Sequence, residues 1–153
     1  MRSAPLRWFP PTDLSKFPHL VGGDVPVWRA FLSLGVSRYL RFAYDVRVGE
    51  GIDVSGLSPD LARIGTLLTQ KRIDVVGERA GPVYDLIEVK LSAGLGAVGQ
   101  LLGYQVLFPL SFPELPLADV VLVAGSVDRD TRTVLESHAI VVNLVDVPAS
   151  LVP

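Results

Sequence analysis

Two strand-like runs joined by a turn bring three charged side chains into what reads as a half-buried sheet, and this limits the folds open to the chain. The first run is Arg72-Ile73-Asp74-Val75-Val76 and the second is Tyr84-Asp85-Leu86-Ile87-Glu88-Val89-Lys90. Between them, Gly77 to Pro82 carries two glycines and a proline and reads as a hairpin connection. Strand side chains alternate between faces. Val83, Asp85, Ile87 and Val89 therefore share one face, and Tyr84, Leu86, Glu88 and Lys90 share the other. Asp74 lies between Ile73 and Val75 and is expected to point away from both. Asp74, Glu88 and Lys90 then converge on one face of an antiparallel pair.

A helix follows. From Gly94 to Phe108, residues Ala97, Leu101, Tyr104 and Phe108 recur at helical spacing as one apolar stripe. Gln100 and Tyr104 are four apart and so are neighbours on the helix surface. Their polar tips are placed to bond a phosphate or to orient the lysine. Two adjacent carboxylates repel and shift each other's pKa. A hard divalent cation relieves that repulsion, and Mg2+ is often held by one or two carboxylates. A neighbouring lysine neutralises charge that develops on a phosphate under attack by water. Each short motif is common by chance or marks a solvated face; order, spacing and element type together carry the reading.

These residues resemble the PD-(D/E)xK nuclease superfamily, in its RecB-like branch with a Gln-x-x-x-Tyr helix, over roughly residues 26 to 126. The resemblance implies an α/β fold with a restriction-endonuclease-like core. That core runs helix, three-stranded antiparallel meander, helix and further strands, and forms a mixed sheet flanked by helices. It further implies Asp74 and Glu88 as metal ligands with the Val89 carbonyl nearby, Lys90 as the residue that positions or activates water, and Gln100 and Tyr104 in support. The implied activity is Mg2+- or Mn2+-dependent hydrolysis of DNA phosphodiesters, by a chain that can act as a homodimer to cut both strands. RecB-like members usually carry an acid on the first core helix. The helix expected here, Val27 to Phe42, has none. Asp24 at its N-cap and Asp45 on the next strand are the candidate replacements. Without that acid, a nuclease-fold protein that binds DNA or assembles without cutting is the alternative.

Gly94-Leu95-Gly96-Ala97-Val98-Gly99 is a literal G-x-G-x-x-G between a strand and a helix, the context of a dinucleotide-binding fingerprint. The preceding strand ends in Glu88 and Lys90 rather than staying apolar, and no well-placed acid follows about twenty residues on. Nucleotide binding is therefore the lesser reading. A tight loop and close helix–sheet packing explain the glycines better.

A chain of 153 residues is most simply one domain. Hydrophobic content of 49% and charged content of 20% are those of a globular protein. No apolar run reaches membrane-span length. Met1 to Pro11 holds no continuous apolar segment, so no signal peptide is expected. With no cysteine, the expected location is the cytoplasm. His19 and His138 lack ligand spacing and read as surface or capping residues. The net charge of −2 does not advertise nucleic acid, yet residues 1–100 carry 12 Lys+Arg against 10 Asp+Glu and residues 101–153 carry 2 against 6. The basic residues therefore fall around the candidate site.

Residues 1–25 read as a proline-rich arm and residues 26–153 as the nuclease-like domain. Trp8 and Phe9 are expected to dock on the domain or a partner subunit. Val27, Ala30, Phe31 and Leu34 form the apolar stripe of the first helix, which Gly35 ends or bends. Ala43–Val48 is a strand, and Asp60–Thr69 a short helix or part of a flap. Phe108–Pro116 is a proline-rich connection and Asp119–Ala124 a buried strand. Asp128–His138 is a helix and Ile140–Val145 a second buried strand, giving a parallel β-α-β end.

Overall fold

The structure, a computed structural model, describes residues 4–36 and 38–148. The outermost ends of the expected arm and domain lie outside these. One mixed sheet of six strands organises the chain: β1 (Trp8–Phe9), β2 (Tyr39–Val48), β3 (Lys71–Arg79), β4 (Val83–Ala93), β5 (Leu117–Val127) and β6 (Val141–Leu144), side by side in sequence order. Pairing is antiparallel from β1 to β4 and parallel from β4 to β6. The helices are α1 (Asp24–Ser33), α2 (Pro59–Thr69), α3 (Leu95–Ser111) and α4 (Arg129–Ser137). The order of helix, antiparallel meander, helix and strand is that of the expected restriction-endonuclease-like core.

Each face of the sheet carries its own apolar layer, because β4 and β5 are covered on both sides and offer apolar residues to both. On the α1 side, Val27, Trp28 and Phe31 pack with Phe42, Tyr44, Val75, Ile87, Val89, Val121 and Val123. On the α3 side, Ala97, Val98, Leu101, Tyr104 and Phe108 pack with Val46, Ile73, Leu86, Leu122 and Ala124. Fully buried rings such as Trp28, Phe42 and Phe108 stabilise by about 1.5–3 kcal/mol each. The Trp28 indole N–H donates to the Tyr44 hydroxyl at 3.0 Å, so its polar end is not stranded.

Several expected boundaries shift. The first helix ends at Ser33 rather than Phe42, because Gly35 turns the chain with φ +72° and Tyr39–Phe42 joins β2. Leu34 therefore leaves the apolar stripe and is exposed, while Trp28 takes a buried place in it. The hairpin turn is shorter than expected: Gly77 lies within β3, and only Ala80–Pro82 connects the strands. Helix α3 runs on through Pro109 to Ser111, anchored by buried Phe108 and Phe112 on either side. The last strand is a half-exposed edge, with the buried positions at Ile140 and Val145 flanking it. Within the arm, β1 pairs with β2, Phe17 and Leu20 are buried under α1, and α1 itself begins at Asp24. Trp8 and Phe9 thus dock on the domain, Trp8 against Tyr84 and Phe9 against Tyr44.

Helix α2 forms between β2 and β3. Ser58 caps it by accepting from the Leu61 N–H, and Pro59 opens its first turn. None of its residues is buried. Among the described residues, no helix is long and apolar enough to cross a membrane.

Candidate metal-carboxylate site

Strands β3 and β4 pair from Arg79–Val83 as far as Val75–Ile87, and the ladder stops there. Beyond that point Asp74 supplies the missing acceptor: its Oδ2 takes the Val89 N–H at 2.9 Å. A side-chain carboxylate thus stands where a strand carbonyl would have been, which holds Asp74 at the place where the strands part. The strict alternation expected around Asp74 does not hold. Ile73 belongs to the α3-side layer and Val75 to the α1-side layer, so the pleat slips by one residue between them. The adjoining strand is irregular at the same level. Tyr44–Val75 and Val46–Ile73 are partners while Asp45 and Asp74 between them are not, and Asp45 has φ +55°.

The expected faces of β4 do hold. Tyr84 and Leu86 lie in the α3-side layer, Ile87 and Val89 in the α1-side layer. Glu88 is 1% exposed, with Oε1 at 3.0 Å from the Lys90 ammonium. Its Oε2 has no partner among the described residues. Burial, then the charge of Asp74, pushes the Glu88 carboxyl up to about 7, although Lys90 and Tyr104 oppose the rise. Burial likewise raises Asp74, against the Val89 N–H, Lys90 and His19. Burial alone would lower Lys90, but Glu88, Asp74 and Asp24 outweigh it and hold the ammonium more firmly protonated.

Helix α3 fixes this cluster from one side. The Tyr104 hydroxyl donates to the Arg72 carbonyl at 2.7 Å and accepts from Gln100 Nε2 at 3.4 Å. Tyr104 therefore ties α3 to β3 two residues before Asp74. From the other side, Asp24 accepts the Leu91 N–H at 2.9 Å. It is the first residue of α1 rather than its N-cap, so the first core helix does carry an acid, and its charge reaches both Asp74 and Lys90. Asp45 is placed differently: its two oxygens accept from Arg72 at 2.6 and 2.7 Å.

His19, expected to be an ordinary surface or capping residue, lies with Nε2 at 3.7 Å from Asp74 Oδ1. No spacing pattern links residues 19 and 74, and only the fold of the arm joins them. The glycines of the G-x-G-x-x-G run do not serve close packing as expected. A Cβ added at Gly94, Gly96 or Gly99 would meet nothing within 4 Å. A cavity of about 460 Å³ lies beside the cluster, bordered by His19, Lys71, Arg72, Gln100 and Tyr104.

Chemically, the cluster is a pair of interacting buried carboxylates, a lysine bonded to one of them and an unpartnered carboxylate oxygen. Among the described residues, no group of three or more His, Cys, Asp or Glu side chains is arranged to hold a metal ion. A cation there would rest on the Asp74–Glu88 pair, main-chain oxygen and water, a donor set that suits Mg2+.

No family model and no curated protein matches the chain. Among solved structures, the EndoMS-dsDNA2 complex is similar over 88% of this chain and 50% of that chain, with a TM-score of 0.48 and 15% sequence identity. The chain thus spans half the length of that structure's chain.

Proposed function

We propose that this chain is a metal-dependent nuclease that hydrolyses DNA phosphodiesters with Mg2+ or Mn2+. The observation that carries the proposal is Glu88: buried, paired to Lys90 through one oxygen and unpartnered at the other, beside a second buried carboxylate on Asp74. A buried carboxylate oxygen without a partner is costly. A hard cation satisfies it, and the donor set fits one. Asp74 Oδ1, Glu88 Oε2 and the Val89 carbonyl are the oxygens that would hold it, with Asp24 adding negative charge behind them. When bound, the cation supplies a more acidic water and offsets charge on the phosphate.

The remaining roles belong to the chain. Lys90 keeps its proton and so presents a fixed positive charge to the phosphate oxygens and to an attacking water. Tyr104 and Gln100 hold β3 against α3, which keeps Asp74 in place. Lys71 and Arg72 border the adjoining cavity and suit a polyanion such as DNA. Pairing of two copies, so that both strands are cut, belongs to the same proposal; a monomer on DNA in sedimentation velocity would remove that part.

A second reading, a DNA-binding or assembly protein without catalysis, is favoured by one observation: no third carboxylate or histidine completes a metal-holding group among the described residues. A cleavage assay separates the two. Single-stranded, double-stranded and branched DNA are incubated with Mg2+, Mn2+ or EDTA, beside Glu88→Ala and Lys90→Ala proteins. The nuclease reading expects metal-dependent cutting that both substitutions abolish. Folded wild-type protein that cuts nothing in any condition would overturn it in favour of the second reading.

A further inference from the structure

The cavity of about 460 Å³ beside the carboxylates has a one-sided chemistry. Its wall includes Lys71, Arg72, His19 and Gln100, and no carboxylate. Arg72 is partly neutralised by Asp45, whereas Lys71 makes no ion pair or side-chain hydrogen bond among the described residues. Gln100 offers an amide whose one bond, to Tyr104, is long at 3.4 Å.

Gly99 and Gly103, one helical turn apart on α3, also line the cavity. Glycine in a helix interior weakens the helix relative to alanine. A positive φ, or a neighbour that leaves no room for a Cβ, calls for glycine in such a place. Neither applies here: both residues are helical, and a Cβ at either would meet nothing within 4 Å. What they provide is an open approach to the helix backbone inside a cationic cavity, and that approach adjoins Tyr104, whose hydroxyl bonds the Arg72 carbonyl two residues before Asp74.

We infer that this cavity is an anion subsite that holds a second phosphate of the nucleic-acid strand, next to the one being cut. The inference rests on the nuclease reading for its substrate and deepens it. Lys71 supplies the main charge, Gln100 and His19 supply donors, and Gly99 and Gly103 give the phosphate room against α3. The shared chemistry is phosphate, whether a terminal monoester or an internal diester.

The test is binding of fluorescent single-stranded oligodeoxynucleotides, with and without a 5′-phosphate, in EDTA across a salt series. Gly99→Leu and Gly103→Leu fill the cavity while favouring the helix, so thermal unfolding should show them folded at or above the wild-type midpoint. Each is expected to weaken binding by about tenfold. Lys71→Ala is expected to lower the salt slope by about one. A preference for the 5′-phosphorylated oligonucleotide that vanishes in the variants assigns a terminal phosphate, and equal losses for both assign an internal one. Unchanged binding and salt slope in all three variants overturn the subsite, as does a wild-type protein that binds neither oligonucleotide. Metal-dependent cleavage is scored separately. Cutting that survives in the filled variants together with unchanged binding removes the subsite and leaves the nuclease reading, whereas altered binding without any cutting removes the nuclease reading and leaves the subsite.

Discussion

Replacing Glu88 with glutamine should stabilise the metal-free protein, by an amount that grows as pH rises from 4.5 to about 7 and then levels off. In the folded chain the Glu88 carboxyl is raised from 4.5 to about 7, first by burial and then by Asp74. At about 1.36 kcal/mol per pH unit, ionised Glu88 is roughly 3 kcal/mol less stable in the folded chain than in the unfolded one. The folded state binds more protons than the unfolded state between pH 4.5 and about 7, so stability falls as pH rises through that window. Glutamine imitates the protonated form and does not ionise. Glu88→Gln should therefore exceed wild type by about 3 kcal/mol at pH 8, or roughly 6–12 °C in Tm for a chain of this size. At pH 5 the gain should shrink below about 1 kcal/mol. Urea and thermal denaturation in EDTA at both pH values measure this. Adding Mg2+ should stabilise wild type and leave the variant unmoved. A variant no more stable than wild type at pH 8, or one whose advantage ignores pH, would refute the argument that buried charge on Glu88 strains this site.

Three further outcomes follow from particular contacts. Asp24→Asn keeps an acceptor for the Leu91 N–H and removes the charge near Asp74; Mn2+ titration should show about tenfold weaker binding with stability changed by less than about 0.5 kcal/mol. Unchanged Mn2+ affinity would exclude Asp24 as the helix acid. Tyr39→Phe removes the 2.7 Å hydrogen bond to fully buried Asp85 and should cost about 1.5 kcal/mol in urea denaturation, a neutral result counting against the bond. Gly77→Ala places a methyl 2.6 Å from the Tyr39 ring and should cost about 1–3 kcal/mol, and retention of full stability would show that Tyr39 moves freely.

The sequence made some features legible because they are local. Alternation along β4 placed Glu88 and Lys90 on one face, and the 3.6-residue period placed Leu101, Tyr104 and Phe108 on the buried stripe of α3. Turn residues marked the β3–β4 hairpin, although Gly77 was drawn into the turn when its lack of a side chain serves Tyr39 across the sheet. Strand boundaries were harder. Tyr39–Phe42 follows a helix with no proline between, and its strand state is set by pairing with β3.

What local pattern decided was the order of elements and the side of each strand on which charge falls, since these depend on neighbours a few residues away. What only the tertiary structure decided was the set of long-range partners. Asp24 reaches the backbone of Leu91 across 67 residues. His19 reaches Asp74 from an arm with no periodicity. The slip of the pleat at Asp74 arises where two strands separate and a carboxylate replaces a carbonyl. Such contacts are fixed by how the sheet and its covering segments close on one another, and chain closure over those distances leaves no mark in sequence spacing.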